Sequence, residues 1–256
     1  MAAKLHSWFM NANVHSQANM RLFCFPYAGG GASIYRDWPQ LFPKDMEVCA
    51  VQLPGRENRG MEAPISSLTG IVQAVVDEIQ PLLNVPFAFF GHSMGALLAY
   101  ETARYLGKKY NKIPTHLFVS GRSAPQLTRS NSKIYLLPDD ELIQQLRVLK
   151  GTPEAILQND ELMDVLLPRF RADFEVCETY SFSLDEPISC PITVFGGMAD
   201  DEVSVEALAA WKELTRNESD LLMLEGDHFF LHEEQERIAE KINGSLSKTP
   251  VIHHAY

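Results

Sequence analysis

Phe87-Ala88-Phe89-Phe90 runs without a polar residue into Gly91-His92-Ser93-Met94-Gly95, and Ala96-Leu97-Leu98-Ala99-Tyr100-Glu101 follows at once. The first stretch has the composition of a buried strand and the last that of a helix former. A G-x-S-x-G between them predicts strand, sharp turn and helix, with the serine at the tip of a strained turn. Glycine is needed on both sides because strand and helix pass so close that a Cβ would clash. Such a turn lifts the Ser93 hydroxyl above the end of a sheet and sets it at a helix N-terminus. There the helix dipole and the Met94 N–H can stabilise a developing oxyanion. Ser123, in Gly121-Arg122-Ser123-Ala124-Pro125, lacks the closing glycine, and Pro125 disfavours a helix directly behind it.

Elements of the same two kinds alternate along the chain. Strands are expected at Met20–Phe25, Met46–Leu53, His116–Ser120, Ile192–Gly196 and Leu221–Leu224. Helices are expected from a Ser33 cap to about Phe42, behind Ser66 or Ser67, from the turn to about Lys109, over Val205–Thr215 and over Glu233–Leu246. The pattern predicts an α/β fold in one domain, 1–256, with a mostly parallel sheet flanked by helices. Between residues 122 and 186 the strand pattern stops. Asp139–Lys150 and the segments up to Tyr180 read as helices, a helical insertion placed to act as a lid over the site. Its apolar spacing makes Leu142, Leu146, Met163, Leu166, Leu167, Phe170 and Phe174 the expected lining of a substrate pocket.

A hydrophobic content of 46% with 21% charged residues describes a globular chain. The net charge of −11 and the lack of a basic run exclude nucleic acid as an expected partner. No apolar run approaches membrane-spanning length, and Met1–Asn19 lacks the apolar centre of a secretory signal. Cys24, Cys49, Cys177 and Cys190 show no C-x-x-C spacing, so reduced thiols, a cytoplasmic protein and no metal site are expected.

A serine nucleophile needs a base to take its proton and a carboxylate to orient that base. In the α/β-hydrolase fold the chain order is serine, acid, histidine. Asp200 lies behind the strand Ile192–Gly196, with Asp201 as its neighbouring alternative. His228 lies behind the strand Leu221–Leu224, with His232 as its competitor. His92 adjoins the serine but points elsewhere in such a turn, His116 begins a strand, and His6, His15, His253 and His254 are terminal. A second oxyanion donor belongs in the loop after the first strand. Tyr27-Ala28-Gly29-Gly30 makes the Ala28 N–H the expected partner of the Met94 N–H.

Four blocks, Phe25-Pro26-Tyr27-Ala28-Gly29-Gly30, Leu53-Pro54-Gly55-Arg56-Glu57, Phe89 to Gly95 and Gly226-Asp227-His228-Phe229-Phe230-Leu231, resemble the signature blocks of type II thioesterases. Gly151-Thr152-Pro153 and Arg171 to Tyr180 are similar to that family's lid, and the match runs from about Met20 to Leu246. One position departs: the family commonly has Gly-Gly-His where Asp227 precedes the histidine here. The resemblance implies a serine hydrolase that removes misprimed or stalled acyl groups from the phosphopantetheine arm of an acyl or peptidyl carrier protein. It maps the nucleophile to Ser93, the acid to Asp200 and the base to His228. It implies no cofactor, the phosphopantetheine belonging to the substrate, and a monomer. Release of medium-chain fatty acids and the cleavage of small carboxylic esters are the alternatives on the same groups, and a non-catalytic carrier-binding module is a third. Arg56 and Arg59 are either solvated turn charges or guanidinium partners for a carrier phosphate or carboxylate.

Overall fold

The polar alternation typical of a half-exposed strand is missing from Phe87–His92, His116–Ser120 and Ile192–Gly197, and all three are buried at every position. That is the demand of a parallel sheet covered on both faces. The computed structural model describes residues 8–12, 17–127 and 133–247; His6, His15, His253 and His254 lie outside them. Strands β1 (Phe9–Met10), β2 (Met20–Phe25), β3 (Met46–Val51), β4 (Phe87–His92), β5 (His116–Ser120), β6 (Ile192–Gly197) and β7 (Ser219–Leu224) form one sheet. Their order is β1-β3-β2-β4-β5-β6-β7. All neighbours are parallel except β1, which runs antiparallel along β3.

The period of two sorts the side chains into two cores. Phe23, Phe25, Phe89 and Val119 pack on one face, under helices α1 (Leu68–Ile79) and α2 (Met94–Tyr110). Leu22, Cys24, Phe90, Phe118 and Phe195 face the other way, against Tyr35 and Trp38. Ile238 and Ile242 of the last helix close that side. Helix α1 starts where Ser67 Oγ accepts the Gly70 N–H at 3.3 Å, and it buries Ile71, Val72, Val75, Val76 and Ile79. Helix α2 stops at Asn111, whose left-handed backbone (φ 51°) returns its N–H to the last carbonyls.

Between β5 and β6 stand α3 (Asp139–Leu149), α4 (Glu154–Leu157) and α5 (Asp160–Glu178); α6 (Val205–Ala209) and α7 (Gln235–Leu246) complete the chain. Three segments differ from expectation; the helix expected over Val205–Thr215 is α-helical only as far as Ala209 and continues as a 3-10 turn, Ala210–Leu214. The helix expected from Ser33 to Phe42 is two 3-10 turns, Ala32–Tyr35 and Trp38–Leu41. A continuous helix would need an N–H from Pro39, and the Ser33 hydroxyl donates to Glu57 at 2.6 Å instead of capping. Phe9–Met10 forms a strand that its two-residue length conceals in sequence.

Candidate active site

Strand β4 hands over to α2 at Ser93, which sits at φ 51°, ψ −115°. For a residue with a Cβ that conformation costs on the order of 1–3 kcal/mol and persists only where the surroundings force it. They do so here. The Ser93 N–H donates to the Ser120 carbonyl at 2.8 Å. A Cβ on Gly91 would lie 2.1 Å from the Gly95 carbonyl oxygen, and one on Gly95 would lie 2.1 Å from that of Phe25. Both glycines are therefore fixed by backbone that cannot move aside.

His228 follows β7 through Gly226, a left-handed glycine at φ 104°. Its Nδ1 lies 2.9 Å from Asp200 Oδ2. The Asp200 side chain is 1% exposed, and its other oxygen accepts the Glu202 N–H at 2.8 Å. The Asp200 loop is tied in turn to the histidine loop, Ala199 donating to the Gly226 carbonyl at 2.9 Å. A carboxylate on Nδ1 keeps the proton there and leaves Nε2 as the basic nitrogen. Asp201 is exposed. Asp227 is exposed too, and its carboxylate accepts the Phe229 N–H at 2.9 Å, turned away to brace the loop. His232 is paired with the Tyr27 hydroxyl at 3.0 Å. His92 is fully buried behind His228, ring centres 5.2 Å apart, with Nδ1 2.9 Å from Ser120 Oγ. Burial, and then the neighbouring His228, hold its pKa well below the ordinary imidazole value, so it stays neutral.

Ser93 and His228 line one cavity of about 920 Å³, together with Tyr27 and Ala28. From the insertion, Leu146, Phe170 and Phe174 reach its wall. Leu142, Met163, Leu166 and Leu167 do not. Leu142, Met163 and Leu167 are buried with Leu157 inside the insertion's own small core, and Leu166 packs against it. Helices that leave the main sheet must first bury a face against one another, and apolar spacing cannot separate that face from one that meets a ligand.

A buried clamp escapes a reading of the sequence. Arg56 and Asp173, 2% and 0% exposed, form a two-pronged pair at 2.8 and 3.0 Å. Arg56 Nη1 also donates to the Gly30 carbonyl at 2.8 Å, and Asp173 Oδ2 accepts the Gly29 N–H at 2.7 Å. The centre of α5 is thus pinned to the loop after β2. Arg59 pairs with Glu62 at 2.6 Å and lies over the Trp8 ring at 4.0 Å. Neither arginine is a solvated charge or is open to a carrier phosphate, against both expectations. The signal in sequence is a lone aspartate between Ala172 and Phe174, inside the apolar stripe of α5.

Among the described residues no group of three or more His, Cys, Asp or Glu side chains could hold a metal ion. None of the described helices is long and apolar enough to cross a membrane.

Residues 20–246 match the family model described as a thioesterase domain. The chain is 55% identical over 238 residues to the gramicidin S biosynthesis protein GrsT of Aneurinibacillus migulanus, covering 93% of each. It is 33% identical over 225 residues to the medium-chain S-acyl fatty acid synthase thioesterase of Homo sapiens, covering 84% of this chain and 82% of that protein. Among solved structures, the type II thioesterase BorB from the borrelidin biosynthetic cluster superposes with a TM-score of 0.85 at 34% identity, covering 94% of this chain and 98% of that one. A family model that takes in everything from β2 to α7, and relatives aligned over most of their length, place this chain in the thioesterase family of α/β-hydrolases, as an enzyme that hydrolyses thioesters.

Proposed function

We propose that the chain removes acyl groups from the phosphopantetheine arm of carrier-protein domains in a nonribosomal peptide or polyketide synthase, clearing carriers that are misprimed or stalled. The observation that carries this reading is the likeness to GrsT over 93% of both chains. A cavity of about 920 Å³ beside Ser93 supports it, being roomy enough for an acyl group and part of its arm.

In the proposed mechanism, Ser93 Oγ attacks the thioester carbonyl carbon while His228 Nε2 takes the hydroxyl proton. Asp200 holds the imidazole and stabilises its cation. The oxyanion is held by the N–H groups of Met94, at the open end of α2, and of Ala28. The loop supports Ala28 in that part, because its neighbours are engaged elsewhere: Gly29 with Asp173, Gly30 with the Tyr27 carbonyl at 3.0 Å. Collapse expels the pantetheine sulfur, which leaves with the proton from His228. A water then gives a proton to His228 and attacks the acyl-serine; the bond to Ser93 Oγ breaks as His228 returns that proton to it, and the carboxylic acid is released. These steps require no cofactor of the protein's own. Helices α3 to α5 serve as the lid, with Leu146, Phe170 and Phe174 against the acyl group.

Ser93→Ala tests the assignment directly. Release of acyl groups from a loaded carrier protein should fall by several orders of magnitude; turnover at the parent rate would overturn it. Faster turnover of free carboxylic esters than of loaded carriers would make the chain an esterase instead.

A further inference from the structure

His92 ends β4, one residue before the nucleophile, and is completely buried. It takes no part in the proton transfers above. Its ring nevertheless meets both the loop that carries Ala28 and the loop that carries the base. Between ring centres, Tyr27 stands 5.9 Å away, His228 5.2 Å and Phe230 5.4 Å. The loop behind β5 is shaped around it as well. Gly121 has a left-handed backbone (φ 57°), and a Cβ there would lie 2.6 Å from His92 Cε1.

A buried polar ring costs free energy unless its nitrogens are bonded, and a phenylalanine would fill such a space without that cost. The two nitrogens are therefore what this position uses. Nδ1 lies 2.9 Å from Ser120 Oγ, and the Ser120 carbonyl holds the Ser93 N–H. Nε2 is buried with no partner within hydrogen-bond distance. Burial foremost keeps the ring neutral, while the backbone of His228 acts in the opposite sense and favours a proton on it, as a carbonyl oxygen does. A neutral imidazole has one N–H, so one nitrogen donates and the other accepts. Only one assignment serves both ends. The Ser120 hydroxyl donates to Nδ1, and Nε2–H points at the His228 carbonyl. The other tautomer would set a nitrogen lone pair against a carbonyl oxygen. Contacts of this kind around a catalytic base commonly tighten only when substrate binds.

We infer that His92 is a positioning residue: protonated on Nε2, it donates to the His228 carbonyl and accepts from the Ser120 hydroxyl, tying the backbone of the base to the residue that holds the nucleophile. The inference rests on the triad reading above and goes beyond it. His92 acts through the main chain of His228 and stands behind it, away from the acyl group. Its loss should therefore misplace the base against Ser93 Oγ and leave binding of the loaded arm alone.

The test begins with the parent protein, labelled with 15N in its histidine rings and observed by NMR at neutral pH. The His92 signals are those that vanish in His92→Gln. They should show a neutral ring with its proton on Nε2. A proton on Nδ1, or a cationic ring, would overturn the inference. The second arm is kinetic, with a loaded carrier protein as substrate. His92→Phe, which fills the space and cannot bond, should lower kcat about a hundredfold and leave KM close to the parent's. His92→Gln, whose amide can set an N–H where Nε2–H stood, should recover at least about tenfold of that loss. A His92→Phe variant with the parent kcat, a His92→Gln variant no better than His92→Phe, or a loss confined to KM would each count against it. The two readings fail separately. Ser93→Ala at the parent rate would remove the triad reading and leave the tautomer as it is, whereas an Nδ1–H ring beside a working triad would remove this inference alone.

Discussion

Both oxygens of Asp200 are engaged, one by His228 and one by the Glu202 N–H, so the carboxylate has no freedom to turn away. Asp200→Asn would present an amide to Nδ1 and favour the wrong tautomer. Turnover of a loaded carrier should drop by roughly four orders of magnitude, whereas Asp201→Asn, on an exposed neighbour, should leave it unchanged. The two glycines flanking Ser93 make a second pair of expectations. Gly95→Ala drives a Cβ into the Phe25 carbonyl, a backbone atom that cannot yield, and should abolish Ser93 labelling and lower the melting temperature. Gly244→Ala, in α7 with nothing within 4 Å of the added carbon, should raise stability by about 0.5–1 kcal/mol. At this scale the sequence was highly legible. A G-x-S-x-G between an apolar run and a helix former can be read because each of its residues answers a local steric demand. Loop position and the resemblance favour Asp200 over Asp201, but composition and periodicity carry no reason for it, because the two neighbours differ physically only in which side of the loop they face.

At the scale of elements, the Arg56–Asp173 pair joins α5 to the loop that carries Ala28. Asp173→Ala would strand a buried guanidinium and release the Gly29 N–H. The expected cost is about 3–5 kcal/mol in a urea unfolding curve. Arg56→Lys, which keeps the charge but loses the fork, should cost less and still lower turnover through a less fixed loop. Here the sequence was legible in part. Periodicity located α1, α2, α3 and α7 within a few residues. It could not say that Leu142, Met163, Leu166 and Leu167 serve the insertion's interior while Leu146, Phe170 and Phe174 reach the cavity, because both faces are apolar. It could not pair Arg56 with Asp173 either, since 117 residues separate them and only the fold brings them together.

For the whole molecule, two buried imidazoles set the response to acid. His116 stacks on Phe118 with ring centres 4.2 Å apart, and burial, with a smaller part from Lys241, pushes its pKa down to about 4. His92 is lowered as well, by burial and by His228. Unfolding returns both to ordinary values near 6.5, where they bind protons that the folded chain refuses. Stability is therefore fully present above about pH 6.5 and falls as pH drops towards 4, with about 3 kcal/mol lost to His116 alone. Urea midpoints measured across that range should fall for the parent and fall less for His116→Asn. The order of the sheet lay beyond sequence reasoning, since alternating strands and helices permit several parallel orders; what selects one is how the helices cover the two faces.

The pinning of α5 at its centre also decides which part of the molecule can give way. Helix α4 rests on α5 and on α3, and α3 rests on α4 and on the 3-10 turn Ile134–Leu136, with Leu142 and Leu146 of α3 sharing one small core with Leu157, Met163 and Phe170. In the lid reading proposed above, the pinned helix is the doorpost and the other two are the door. In that reading, room for a longer acyl chain would come from α3 and α4 sliding over the seam of Leu142, Leu157 and Met163. The stiffness of that seam, and not the geometry around Ser93, would set the longest chain this enzyme can admit.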